Sequence, residues 1–184
     1  MRMLPTSVEV GGKEYKARTD FDTILDIIGI LNDVDLSDQE RAFLSLLYFY
    51  PDFKDIPQSD YEEALEQCLI FINGGKKEEP KQEKMPRLVD WEKDFPLIVA
   101  PVNRILGREI RTGEPIHWWT FLAAYMEIGE CTYSNVLKIR KDLSSGKKLD
   151  KAEREWYRNN HDIVDIETKY TQADEEFLKK WGGG

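Results

Sequence analysis

Residues 74–86 read GGKKEEPKQEKMP, with two glycines, two prolines, seven charged side chains and almost nothing to bury. Such a segment cannot offset the entropy of ordering its own backbone, so it reads as a charged flexible linker. It divides the chain of 184 residues into an acidic hairpin-plus-helices subdomain over 1–73 and a helical subdomain over 87–184. A chain of this length holds one domain with a sizeable core or two small ones, and needs no disulfide staples.

Charge is distributed unevenly about that linker. Residues 1–73 carry 6 basic and 15 acidic side chains, and residues 87–184 carry 16 and 17, so the whole net charge of -9 sits in the first part. An acidic surface repels phosphate backbones, which argues against nucleic-acid binding. It keeps a small domain soluble, and it can steer a basic partner. No apolar run approaches the roughly 18 residues of a membrane span. Near Met1 no apolar stretch is long enough for a signal peptide, and Cys68 and Cys131 lie far apart, so an intracellular, reducing location is expected.

The hydrophobic periods predict a mainly α chain, a bundle of about seven to eight helices behind a short N-terminal β-hairpin. Val8 and Val10 face Tyr15 and Ala17 across Gly11-Gly12, a hairpin pattern. Phe21, Ile24, Leu25, Ile28 and Leu31 form one helical stripe after Asp20 or Asp22. Ser37-x-x-Glu40 and Ser59-x-x-Glu62 read as capping boxes of the next two helices, with expected buried stripes Phe43, Leu46, Leu47, Tyr50 and Tyr61, Leu65, Leu69, Ile72. Past the linker, a helix is expected to begin at Asp94 with Pro96 in its first turn and to stop at Gly107, with Pro101 kinking it or delaying its start. Tyr133, Val136, Leu137, Ile139 and Leu143 mark a helix ending at Ser144-Ser145-Gly146. Two shorter helices begin near Asp150-x-x-Glu153 and Thr171-x-x-Asp174.

Positions 117–126, HWWTFLAAYM, pose the choice between a site and a core. On a helix from Ile116 to Ile128 only His117, Thr120 and Glu127 are polar, with small Ala124 on the same stripe. Trp118, Phe121, Leu122 and Tyr125 form one expected buried face and Trp119, Ala123 and Met126 another, so the helix reads as core wrapped on most sides. His117 then falls on the exposed stripe.

The remaining constellations carry little chemistry. His117, His161, Cys68 and Cys131 lack the short spacings of zinc sites. Asp162, Asp165 and Glu167 could be ligands for a hard cation, but Ile163, Val164 and Ile166 between them look like packing positions. Arg140, Lys141, Lys147 and Lys148 could touch an anion, or complement the dipole of their own helix. There is no phosphate loop, nucleophile elbow or paired cysteine and histidine. No catalytic, cofactor-binding or metal-binding residue is assigned, and no enzymatic activity is expected.

Several motifs together carry a resemblance. They are Asp90-x-x-Lys93-Asp94-x-Pro96-Leu97-Ile98, Ile116-His117-Trp118-Trp119-x-Phe121-Leu122, Ile139-Arg140, Gly146-Lys147-Lys148-Leu149-Asp150-Lys151 and Phe177-Leu178-Lys179-Lys180-Trp181. Over residues 20–181 the chain resembles the gene-product-fifteen family, small tail-gene proteins of long-tailed phages and prophages of Gram-positive bacteria. The resemblance implies a tail-assembly chaperone that binds the tape-measure protein, with the major tail protein as a further partner, in the cytoplasm of the bacterial host and absent from the mature virion. It implies no nucleic acid, membrane or cofactor, and leaves a homo-oligomer open. The first-domain acids and an apolar-rimmed surface of the second domain are the expected client contacts. Two other readings remain: an acidic inhibitor of a host protein that imitates the charge of DNA, and an enzyme whose site would place His117 or His161 beside a carboxylate.

Overall fold

The computed structural model describes residues 3–77 and 87–166, which fall into two compact units. The expected helix near Thr171, Glu167 and most of the linker lie outside the described residues.

The first unit opens with the hairpin, β1 (Ser7–Val10) against β2 (Lys13–Lys16), with Val8 opposite Tyr15. Gly11 and Gly12 take φ of 58° and 75°, the positive angles of a twisted two-residue turn. The Gly11 amide donates to Glu63 (3.1 Å), and a Cβ built on Gly11 would sit 2.7 Å from an Asp60 carboxylate oxygen. Helix α1 (Phe21–Leu31) starts after Asp20 in the N-cap position and buries Phe21, Ile24 and Ile27, so Leu25, Ile28 and Leu31 flank its buried line. Helix α2 (Asp38–Phe49) carries the expected capping box: the Glu40 amide donates to Ser37 Oγ, and the Ser37 amide to Glu40 Oε2.

Two of the sequence-based stripes are corrected. On α2 the buried residues are Ser45, Leu46 and Phe49, followed by Tyr50, while Phe43 and Leu47 are 49% and 41% exposed. On α3 (Tyr61–Ile72) they are Ala64, Cys68 and Phe71 rather than Tyr61, Leu65, Leu69 and Ile72. Both helices carry more apolar residues than one face accommodates, so period alone admits two solutions, and packing against neighbours selects one. The Ser59 capping box does not form. A short 3-10 turn over Gln58–Asp60 shifts the start of α3 to Tyr61, and the Ser59 hydroxyl donates to Asp60 instead.

This core is built on rings. Phe49 packs edge-on to Tyr50 at 4.9 Å and tilted to Phe71 at 5.3 Å, and Tyr50 meets Tyr15 at 6.4 Å. The buried hydroxyls of Tyr50 and Tyr15 donate to the Ala64 and Asp55 carbonyls. Ser45 Oγ, by contrast, is buried with no hydrogen-bond partner among the described residues.

The second unit contains α4 (Trp91–Leu106), α5 (Trp118–Met126), α6 (Thr132–Ser144) and α7 (Lys151–Val164). Helix α4 begins at an Asp90 N-cap, whose carboxylate accepts from the Lys93 amide, and runs through both Pro96 and Pro101. The expected start at Asp94 is thus four residues late, and Pro101 does not delay it. Gly107, at φ 68°, closes α4 in the left-handed conformation that glycine adopts at low cost. Helix α7 has the expected box of Asp150 and Glu153, and its Val164 joins Val136, Ile139 and Leu149 in one apolar cluster.

Helix α5 is shorter than expected and is buried on one side only, although almost all its residues are apolar. It buries Trp118, Phe121 and Ala124, with Trp118 stacked on Phe121 at 5.6 Å and Trp91 against both Trp118 and Tyr125. Met126 is 71% exposed and Ala123 exposed, which overturns the second buried face. Ala124, expected on the polar stripe, is inside. The seven helices and the hairpin among the described residues make the chain mainly α, as its periods require.

Candidate functional site

Two features depart from ordinary core-and-surface construction, one in each unit. In the second, Asp94 is fully buried and Arg140 is 6% exposed. Their guanidinium and carboxylate meet in a two-pronged ion pair at 2.7 and 2.8 Å. The carboxylate also accepts from the Asp90 amide (2.9 Å) and the Tyr133 hydroxyl (3.4 Å). Arg140 gives its remaining hydrogens to the carbonyls of Val164, Leu88 and Ile163. All five guanidinium N–H groups are therefore used, as burial of a cation demands. Burial pushes the Tyr133 phenol far above its usual range, and its bond with Tyr125 adds to the effect. This network fastens α4 and α6 to the backbone at 88 and 163–164; it is closed to solvent and offers no reacting group.

That placement corrects the basic cluster. Arg140 faces the core, away from Lys141, and Lys147 is engaged by Asp142 at 3.1 Å, so the four cations do not form an anion site. Nor are the metal-type residues gathered. His117 is the N-cap of α5 rather than part of an exposed stripe, its Nδ1 accepting from the Trp119 amide at 3.1 Å. Cys131 caps α6, and His161 is exposed on the last turn of α7. Cys68 is buried on α3, where desolvation pushes its thiol up to about 12. Asp165 accepts from the Tyr157 hydroxyl through its side chain and from Lys93 through its carbonyl, both structural ties. Among the described residues no group of three or more His, Cys, Asp or Glu side chains could hold a metal ion.

The second feature is the outer face of α2. Leu36, Glu40, Phe43 and Leu44 line an open groove of about 520 Å³, and Leu47 continues the line one turn on. Phe43 is held edge-on against Phe53 at 5.4 Å, and Phe53 against Tyr61 at 5.0 Å. At one end lie Asp35, Asp38 and Glu40, all exposed. Hydrogen bonds from Ser37 hold the Glu40 carboxyl below its usual range, so it stays charged. Arg41 answers Asp38, and Arg18 covers the opposite end of the helix, donating to the Leu47 and Tyr48 carbonyls. The sequence reading placed Phe43 and Leu47 in the core. The signal that could have found them is the surplus of apolar residues on α2, where FLSLLYFY supplies more than one stripe. In the second unit, where an apolar-rimmed binding surface is expected, the large apolar residues exposed among the described residues are Ile105, Met126 and Leu143.

Compared with known proteins, residues 1–166 match the family described as bacteriophage Gp15 protein. No curated protein and no solved structure matches the chain.

Proposed function

Because the chain belongs to the bacteriophage Gp15 protein family, we propose that it is a non-enzymatic tail-assembly chaperone that binds the tape-measure protein and helps recruit tail-tube subunits. The observation that carries this reading is the apolar line on α2, exposed on the unit that holds the whole net negative charge. A tape-measure protein, as the resemblance implies, is long, helical and prone to aggregate until tail-tube subunits cover it. A helix with an unmet apolar line can shield such a seam, while surplus carboxylates keep the pair soluble and steer it toward basic stretches. The chain acts in the host cytoplasm and leaves before the virion is complete.

Co-expression with the tape-measure protein encoded nearest its gene tests the reading. The expected result is a soluble complex that survives size-exclusion chromatography, with the client precipitating when expressed alone. A client equally soluble by itself, or no complex, would overturn it.

A further inference from the structure

On α2, Glu40, Phe43 and Leu47 follow one another at spacings of three and four residues, with Leu44 alongside and Leu36 just ahead of the N-cap. On a helix that spacing keeps side chains on a single seam, here roughly 10 Å long, which is the geometry a second helix packs against. We propose that this seam is a docking groove for one amphipathic helix whose apolar edge is flanked by lysine or arginine. For its natural occupant the assignment rests on the chaperone reading above.

Three observations lead to that occupant. Phe43, though half exposed, is fixed against Phe53 and thereby through to Tyr61, so the central knob is ordered before a partner arrives. Asp35, Asp38 and Glu40 crowd one end, and Glu40 is pinned by its two bonds with Ser37. Third, the nearby cations are already engaged: Arg41 with Asp38 and the Asp33 carbonyl, Arg18 with the end of α2. A second copy of this chain would bring one unit of net charge -9 against another, whereas a basic-flanked helix meets carboxylates with cations.

The test uses the full chain and two synthetic helical peptides of about 20 residues. Both carry the same leucine seam, one flanked by lysines and the other by glutamates, and binding is read by fluorescence anisotropy. The lysine peptide should bind at least about tenfold tighter than the glutamate peptide, and added salt should narrow the gap. Phe43→Gln with Leu47→Gln should weaken it by about tenfold or more with circular dichroism unchanged, while Met126→Gln, on an exposed position of α5, should leave it intact. Equal binding of the two peptides, no binding, or loss on Met126→Gln alone would overturn the groove. So would a dimer of the parent that Phe43→Gln/Leu47→Gln converts to monomer, because the seam would then serve a second copy. The client reading is separable. If the lysine peptide binds but the tape-measure protein does not, the client falls and the groove stands; a client complex untouched by Phe43→Gln/Leu47→Gln overturns the groove and keeps the client.

Discussion

The cores of residues 3–77 and 87–166 both pack aromatic rings, around Phe49 in the first and around Trp118 in the second, but the second also encloses an ion pair between Asp94 and Arg140. In the first, charge is left at the surface and the one orphaned polar atom inside belongs to Ser45. In the second, the buried charges are satisfied by each other, two amide or hydroxyl donors and three carbonyls. An apolar core leaves a unit's charges available to a partner. A buried pair contributes little net stability but penalises every arrangement that separates its members, so it fixes which segments meet.

The largest effect that tests this contrast is expected from Asp94→Ala. It leaves Arg140 buried without a counter-charge and should cost about 3–5 kcal/mol. Four of the five tryptophans, Trp91, Trp118, Trp119 and Trp156, lie in the second unit and none lies in residues 1–77, so denaturant melts followed by tryptophan fluorescence in a Trp181→Phe background read that unit. Asp94→Leu combined with Arg140→Leu should recover part of the loss; a double variant weaker than Asp94→Ala would show that the carbonyl bonds of Arg140 matter more than the pair. Trp118→Ala should cost a comparable amount, about 3–5 kcal/mol, through the cavity left beside Phe121 and Trp91. If it melts like the parent, α5 is not the centre of that core.

Ser45→Ala should move the other way. Removing a buried hydroxyl that lacks a partner is expected to stabilise the first unit by up to about 1 kcal/mol. The Cys68 thiol gives the readout, since it is buried in that unit and becomes reactive only as the unit opens; its labelling should slow. Faster labelling would mean that the hydroxyl is satisfied after all.

The smallest effects come from the caps. Ser37→Ala and Asp150→Ala should each cost about 1 kcal/mol, one in each unit. Glu40 and Glu153 are both held below the ordinary 4.5, by Ser37 and by Lys138 respectively. A depressed carboxyl stabilises the fold fully above its unfolded value and loses that contribution as pH falls through the lower folded value. The difference in melting temperature between the parent and Ser37→Ala should therefore be full at neutral pH and narrow as pH falls from about 4.5 through the lower folded value, leaving the part due to the Glu40 amide bond to Ser37 Oγ. A gap unchanged in acid would assign the cap to the hydroxyl alone.

Much of this fold is local in origin and could be read from the chain. The hairpin follows from two glycines between alternating residues, and the Ser37 and Asp150 boxes are four-residue patterns. What could not be read is long in range. Asp94 and Arg140 are 46 positions apart, and nothing near either one announces the other; the aspartate looks like a cap and the arginine like one of a basic cluster. The faces of α2, α3 and α5 failed for a related reason, since an over-apolar helix does not say which stripe its neighbours cover. The proposed docking face suffered most from this: Phe43 and Leu47 look like core until the packing of Leu46 and Phe49 turns them outward. Conversely, Met126 and Ala123 were read inward and face out.

Amide hydrogen exchange on the chain alone and in its co-expressed complex with the tape-measure protein tests the central claim most directly. The expected result is slowed exchange over Asp38–Phe49, with the helices of residues 87–166 little changed. Protection confined to residues 87–166, or a client that never joins the complex, would contradict it.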